Sequence, residues 1–193
     1  MRLFVGIDLD PEVRARIARF LEGVRPFAPD VRWVRPESLH VTLKFIGEQK
    51  EERVDAFRQA LRQVQGGSIE IRFAGYGFFP TLKSSRVFWI GIQADDQLPK
   101  LAGAVDKATS ELGVPREERA FSPHLTLARG GSGAPGRRKG DRVNSDFAVL
   151  QKRLAEMTEL DFGSMTAREF YLYQSQLSPA GSKYTKLEKF PLP

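Results

Sequence analysis

Twice along this 193-residue chain, two runs with the composition of β-strands follow one another with no helix between them, at 69–92 and at 167–190. Antiparallel neighbours can be joined by a tight turn, whereas parallel neighbours need a crossover of a dozen or more residues. The two stretches therefore predict antiparallel hairpins and exclude a purely parallel, doubly wound sheet. The runs inside them are Ile69 to Phe78, Arg86 to Ile92, Ala167 to Leu177 and Lys183 to Phe190, all rich in β-branched and aromatic residues. Three more of the same kind lie at Leu3 to Ile7, Leu39 to Ile46 and Phe121 to Ala128.

Helical periodicity separates these runs. Val13, Ile17, Phe20, Leu21 and Val24 recur at helical spacing behind Asp10-Pro11, a pair suited to capping and to the first helical position. Val54, Phe57, Leu61 and Val64 repeat the pattern up to Gly66, and Leu98, Leu101, Val105, Ala108 and Leu112 do so up to Gly113. Phe147, Leu150, Leu154 and Met157 make a fourth helix. Each has one apolar stripe and one solvated face, so the fold class is α+β.

Composition narrows the chemistry. With no cysteine, disulfides, thiolate zinc sites and cysteine nucleophiles are all absent, and only two histidines remain for proton transfer near neutral pH. The net charge of +6 favours a polyanionic partner without choosing among RNA, DNA and nucleotides. The opening apolar run is broken by Gly6 and Asp8, too short for a signal segment or a membrane span, and predicts a cytoplasmic protein with no membrane partner. A chain of this length buries about 70% of its extended surface, enough for one large domain or two small lobes. One stretch departs from globular composition: 130–142, rich in glycine, with four basic residues and one acid, reads as a flexible basic loop.

The two histidines share a context. His40 stands in Leu39-His40-Val41-Thr42-Leu43-Lys44-Phe45 and His124 in Pro123-His124-Leu125-Thr126-Leu127-Ala128-Arg129, 84 residues apart. Threonine occurs seven times in the chain. Two unrelated histidines would both carry Thr at +2 with a chance of roughly one in 760, before the shared leucine is counted. On an extended strand residues i and i+2 point to the same face. Each strand thus presents one imidazole and one hydroxyl on its polar face, with Val41, Leu43 and Phe45, or Leu125 and Leu127, expected in the core. Hydrolysis of a phosphodiester needs one group to take a proton from water and another to give one to the departing oxygen. Two imidazoles share those states at neutral pH, and threonine hydroxyls suit the charge that builds on phosphate oxygens. Two histidines with no patterned carboxylate nearby make a poor zinc set, so no metal is expected.

These residues resemble the 2H phosphoesterases, named for two His-x-Thr/Ser motifs, and within them the bacterial and archaeal RNA 2′,3′-cyclic phosphodiesterases once described as 2′-5′ RNA ligases. Similar segments extend over nearly the whole chain: Met1 to Ile7, Phe78-Phe79-Pro80, and Leu172-Tyr173-Gln174-Ser175-Gln176-Leu177-Ser178-Pro179-Ala180-Gly181. The resemblance implies that residues 1–193 form one domain of two pseudo-symmetric lobes. Two antiparallel sheets would face a central cleft, with helices on the outer faces and one His-x-Thr strand from each sheet. It implies opening of an RNA-terminal 2′,3′-cyclic phosphate to a 2′-phosphomonoester, with no metal or other cofactor; the chain itself is expected to be a monomer. Carried over, His124 is the general base on water and His40 the general acid on the 3′ oxygen, although the roles are exchangeable. Thr42 and Thr126 hold phosphate oxygens, and Arg129 adds a charged clamp. Parity objects to Arg129, five residues from His124 and so on the opposite face of a regular strand. It reaches the phosphate only if the strand ends or bulges near Ala128.

Aromatic rings stack on bases with little sequence discrimination, which makes Tyr173, Phe79 and Trp33 candidate platforms. Two other functions stay open at this point: reversible 2′-5′ ligation by the same groups, and an RNA-binding module without turnover. No Gly-x-x-x-x-Gly-Lys-Ser/Thr arrangement is present, which argues against nucleotide-energised ligation.

Overall fold

The computed structural model describes residues 1–130 and 146–193. Apart from Gly130, the predicted basic loop lies outside the described residues. In chain order the elements are β1 (Arg2–Asp8), α1 (Pro11–Val24), β2 (Arg32–Trp33), β3 (His40–Glu48), α2 (Val54–Arg62), β4 (Ile69–Pro80) and β5 (Ser85–Ala94). There follow α3 (Gln97–Ser110), β6 (His124–Arg129), α4 (Ala148–Ala155), β7 (Asp161–Ala167), β8 (Glu169–Ser178) and β9 (Gly181–Pro191). The fold is α+β, with two antiparallel sheets in the orders β3-β1-β8-β9 and β2-β6-β5-β4-β7. Both predicted hairpins are present, as β4–β5 and β8–β9.

The sheets do not follow the halves of the chain. The last hairpin pairs with β1 in the first sheet, and the two-residue β2 from the first half edges the second. The helices cross over as well: α1, which follows a strand of the first sheet, packs on β7 of the second, while α3 packs on β3 of the first. One hydrophobic core runs through both sheets, from Leu3 and Val5 to Phe88 and Leu125. Phe57, Phe73, Phe88, Phe147 and Phe170 are fully buried in it, each contributing about 1.5–3 kcal/mol of transfer free energy.

Local chemistry explains where elements begin and end. In α1 the buried stripe is Val13, Ile17, Leu21 and Val24, and Pro11 occupies the first turn. The Asp10 side chain makes no capping bond, contrary to expectation; its backbone carbonyl accepts from the Arg14 amide instead. Helices α2 and α4 stop short of the predicted Val64 and Met157, because those amides bond three residues back, to Leu61 and Leu154, in a tightened last turn. Strand β6 starts at His124 rather than Phe121, since Pro123 has no N–H for a ladder. The unpredicted β7 contains Asp161, Gly163 and Ser164, residues of low strand propensity, and is held by its pairing with β4.

Candidate active site

The two histidine strands have the same construction to the residue. From the histidine onward, the burial sequence of β3 over His40 to Phe45 is identical to that of β6 over His124 to Arg129. In each, the residues at +1 and +3 are buried, the histidine and threonine face outward, and the +4 residue is buried directly after the +3 leucine. That doubling marks a β-bulge. Leu43 is skipped in the pairing of β3 with β1, and Leu127 in the pairing of β6 with β5.

The bulge reverses strand parity beyond the leucine. It brings Arg129 back to the face of His124 and Thr126, meeting the condition that parity imposed, and all three line one cleft. By the same step Phe45, expected in the core, is turned out into the cleft and is 60% exposed. Lys44 is turned inward in its place, 3% exposed. Its ammonium group bonds Asp106 Oδ1 at 2.7 Å and the Pro115 carbonyl at 2.7 Å, with Glu117 at 3.3 Å. Burial works to raise the Asp106 pKa, yet the Lys44 bond and the Glu117 amide hold it below the ordinary 3.8.

The cleft, about 480 Å³, lies between the sheets and is lined by His40 and Thr42 from one and His124, Thr126 and Arg129 from the other. His40 Nδ1 lies 2.8 Å from the Ser38 carbonyl and His124 Nδ1 lies 2.9 Å from the Ser122 carbonyl. A carbonyl only accepts, so in both rings Nδ1 carries the hydrogen and Nε2 is left free. The repeat is therefore longer than His-x-Thr-Leu. It reads Ser-x-His-x-Thr-Leu in both strands, and the shared serine at −2 was visible in the sequence but unused. Among the described residues neither threonine hydroxyl has a hydrogen-bond partner, and no carboxylate pairs with Arg129.

The environments of the two imidazoles differ. His40 is packed against Phe4, with ring centroids 4.6 Å apart, and meets the edge of Tyr184 at 5.1 Å. Burial pushes its pKa below the ordinary 6.5, opposed by the Ser38 carbonyl and by the Asp8 carboxylate and assisted by Arg14. Asp8 itself is ion-paired to Arg14 and Lys186. His124 stands edge-on to Phe79, with centroids 5.4 Å apart, and 6.2 Å from Trp89.

None of the three predicted stacking residues lines the cleft. Tyr173 is 5% exposed and lies under Phe4, stacked at 4.8 Å with planes 8° apart, so it braces the ring that braces His40. Trp33 donates its indole N–H to the Ala28 carbonyl and packs edge-on against Phe88 in the core. Phe79, 39% exposed, backs His124 and Trp89. The aromatic rings that do line the cleft are Phe4, Phe45 and Tyr184. Spacing along one strand cannot show which of two stacked rings lies on top.

Gly6 sits beside His40 for a steric reason. A Cβ there would lie 2.9 Å from the Val41 carbonyl oxygen and 3.4 Å from His40 Cδ2. Gly6→Ala must push β3 away from β1 beside His40. A shift of a few tenths of an ångström at His40 is expected to lower kcat/KM roughly several-fold. Steady-state kinetics of the variant beside its melting curve checks this: rate loss with little change in Tm is expected, and unchanged kinetics would show that the strand absorbs the methyl group.

The family described as LigT like Phosphoesterase matches residues 7–89 and 90–184, each stretch holding one His-x-Thr strand. An Archaeoglobus fulgidus protein named RNA 2′,3′-cyclic phosphodiesterase is 35% identical over 190 residues, covering 98% of this chain and 99% of its own. A protein of the same name from Methanothermobacter thermautotrophicus is 33% identical, covering 100% of this chain and 99% of its own. Among solved structures, a Thermus thermophilus protein superposes with a TM-score of 0.77 at 31% identity, covering 100% of this chain and 98% of its own. E. coli LigT complexed with 3′-AMP superposes with a TM-score of 0.75 at 27% identity, covering 99% of this chain and 97% of its own. With both halves matched, each around one member of a duplicated histidine half-site, the chain belongs to the LigT-like family of 2H phosphoesterases.

Proposed function

We propose that the protein hydrolyses RNA-terminal 2′,3′-cyclic phosphates to 2′-phosphomonoesters, using its two histidines as acid and base and no metal. The observation that carries this reading is the pair of identically built half-sites on one cleft, each with Nδ1 tied to a carbonyl and Nε2 free. Water attacks phosphorus, His124 takes its proton, the bond from phosphorus to the 3′ oxygen breaks, and His40 protonates that oxygen. Thr42 and Thr126 donate to the non-bridging oxygens, and Arg129 offers a guanidinium to the same charge. The names of the relatives, RNA 2′,3′-cyclic phosphodiesterase, support this substrate class. The acting unit is a monomer, since one chain supplies both half-sites.

The test is incubation of metal-stripped protein in EDTA with an oligoribonucleotide ending in 2′,3′-cyclic phosphate, followed by identification of the monoester. Chelator-resistant turnover to the 2′ isomer is expected. Activity lost in EDTA and restored by a divalent ion would refute the metal-free mechanism. A 3′-phosphate product would reverse the leaving oxygen, and joined 2′-5′ products would favour ligation.

A further inference from the structure

One guanidinium behind the first half-site reaches the segment that holds His40. Arg14 stands near the start of α1, and its Nη1 donates to the Pro36 carbonyl at 2.6 Å and, at 3.4 Å, to the Leu39 carbonyl. Its Nη2 donates to Asp8 Oδ1 and, at 3.3 Å, to the Leu9 carbonyl. The two carbonyls that Nη1 bridges stand on either side of Ser38, whose own carbonyl accepts from His40 Nδ1 at 2.8 Å.

The Ser38 carbonyl needs such support. It belongs to a single tight turn, Pro36–Ser38, held within itself by the Ser38 amide on the Arg35 carbonyl and by the Leu39 amide on the Pro36 carbonyl at 3.3 Å. Turns of this kind have strained hydrogen-bond geometry and little rigidity of their own. A planar fork that bonds in two directions supplies it, and Asp8 sets the direction of the fork. Asp8 lies opposite His40 in the β1–β3 register and is held from its other side by Lys186. Neither Asp8 nor Arg14 lines the cleft, so neither touches the substrate. The second half-site is built without this strut. The Ser122 carbonyl holds His124 in the same way, yet among the described residues no side chain besides His124 bonds a carbonyl of residues 120–123.

Resting on the cyclic-phosphate reading above, we infer that Arg14, aimed by Asp8, is a positioning residue for His40, fixing the turn whose Ser38 carbonyl sets the tautomer and direction of the ring. An imidazole that gives its proton from Nε2 is left as the Nδ1–H form, and that is the form the Ser38 carbonyl stabilises. With the turn released, the ring rotates and shares its hydrogen between both nitrogens, and proton transfer at the cleft slows.

The test is nitrogen-15 NMR of the imidazoles at alkaline pH in wild type, Arg14→Ala and Arg14→Lys, beside kinetics on adenosine 2′,3′-cyclic phosphate. The chain has two histidines, so the spectrum holds two rings, which His40→Ala assigns. Both rings are expected as the Nδ1–H form in wild type. In the variants His40 alone should become a mixture with the Nε2–H form, and kcat should fall roughly 10- to 10²-fold with KM within a few-fold of wild type. Lysine keeps a cation for Asp8 without spanning to the turn, so Arg14→Lys holds the comparison even if alanine is not tolerated. An unchanged His40 tautomer in both variants, or His124 shifting along with it, would overturn the positioning role. The tautomer readout needs no turnover, so a wild type inert on the cyclic phosphate would overturn the hydrolytic reading while the spectra still decide what Arg14 does to His40.

Discussion

Replacing His40 or His124 by alanine is expected to lower kcat/KM on a 2′,3′-cyclic phosphate by roughly 10²- to 10⁴-fold for either variant. The double variant should lose far less than the product of the two, because the proton transfers act on one displacement and fail together. Steady-state kinetics on the four proteins measures this, and single variants within a few-fold of wild type would leave an RNA-binding module as the better account. The pH dependence separates the roles. His40 has a pKa below 6.5, chiefly through its burial against Phe4 and its neighbours. A general acid must be protonated to act. In His124→Ala the residual rate is therefore expected to be highest at low pH and to fall as pH rises through the His40 pKa, with a midpoint below 6.5. A residual rate that climbs through the same range would make His40 the base and His124 the acid.

Asp106→Ala is expected to be the most destabilising single change near the site, by about 3–5 kcal/mol, because it strands the buried Lys44 ammonium without its main counter-charge. For a chain of this length that corresponds to a fall in Tm of roughly 6–20 °C. Replacing both partners by apolar residues of similar size, Lys44→Met with Asp106→Leu, should recover much of the loss, since the charges left without a partner, Arg116 and Glu117, are exposed. A single variant that melts within a degree of wild type would show that water or the nearby Glu117 carboxylate and Pro115 carbonyl oxygen satisfy Lys44 unaided. The linkage has a definite sign. Asp106 has a folded pKa held below 3.8, so its contribution is present above the unfolded value and is lost as pH falls through the folded one. Wild type should therefore lose stability in acid more steeply than the Lys44→Met, Asp106→Leu double variant. The pair also matters to the site, since it anchors β3 just beyond the bulge that delivers Phe45.

Much of the site was legible because its repeat is local. His40 with Thr42 and His124 with Thr126 share faces through strand geometry alone, and the buried Val41, Leu43, Leu125 and Leu127 follow from the same period of two. The serines at 38 and 122 were equally visible, as part of a longer repeat. Phe45 was not, although the parity objection raised for Arg129 applies to it unchanged, five residues from its own histidine. Aligning the two motifs past the leucine would have set the phenylalanine beside the arginine and posed one question about both.

From the sequence alone follow the α+β class, the four helices and seven of the nine strands among the described residues, and the pairing of each histidine with a threonine. All of these are encoded in side chains a few residues apart. What only the tertiary structure decided is which strands share a sheet, which aromatic rings face the cleft, and where β3 and β6 bulge. A bulge is set by the register of the partner strand, here β1 and β5, and no spacing within the bulged strand announces it. That one displaced residue in each strand sends Lys44 to Asp106 and brings Arg129 and Phe45 into the cleft, because side-chain direction alternates along a strand and a single extra residue reverses everything after it.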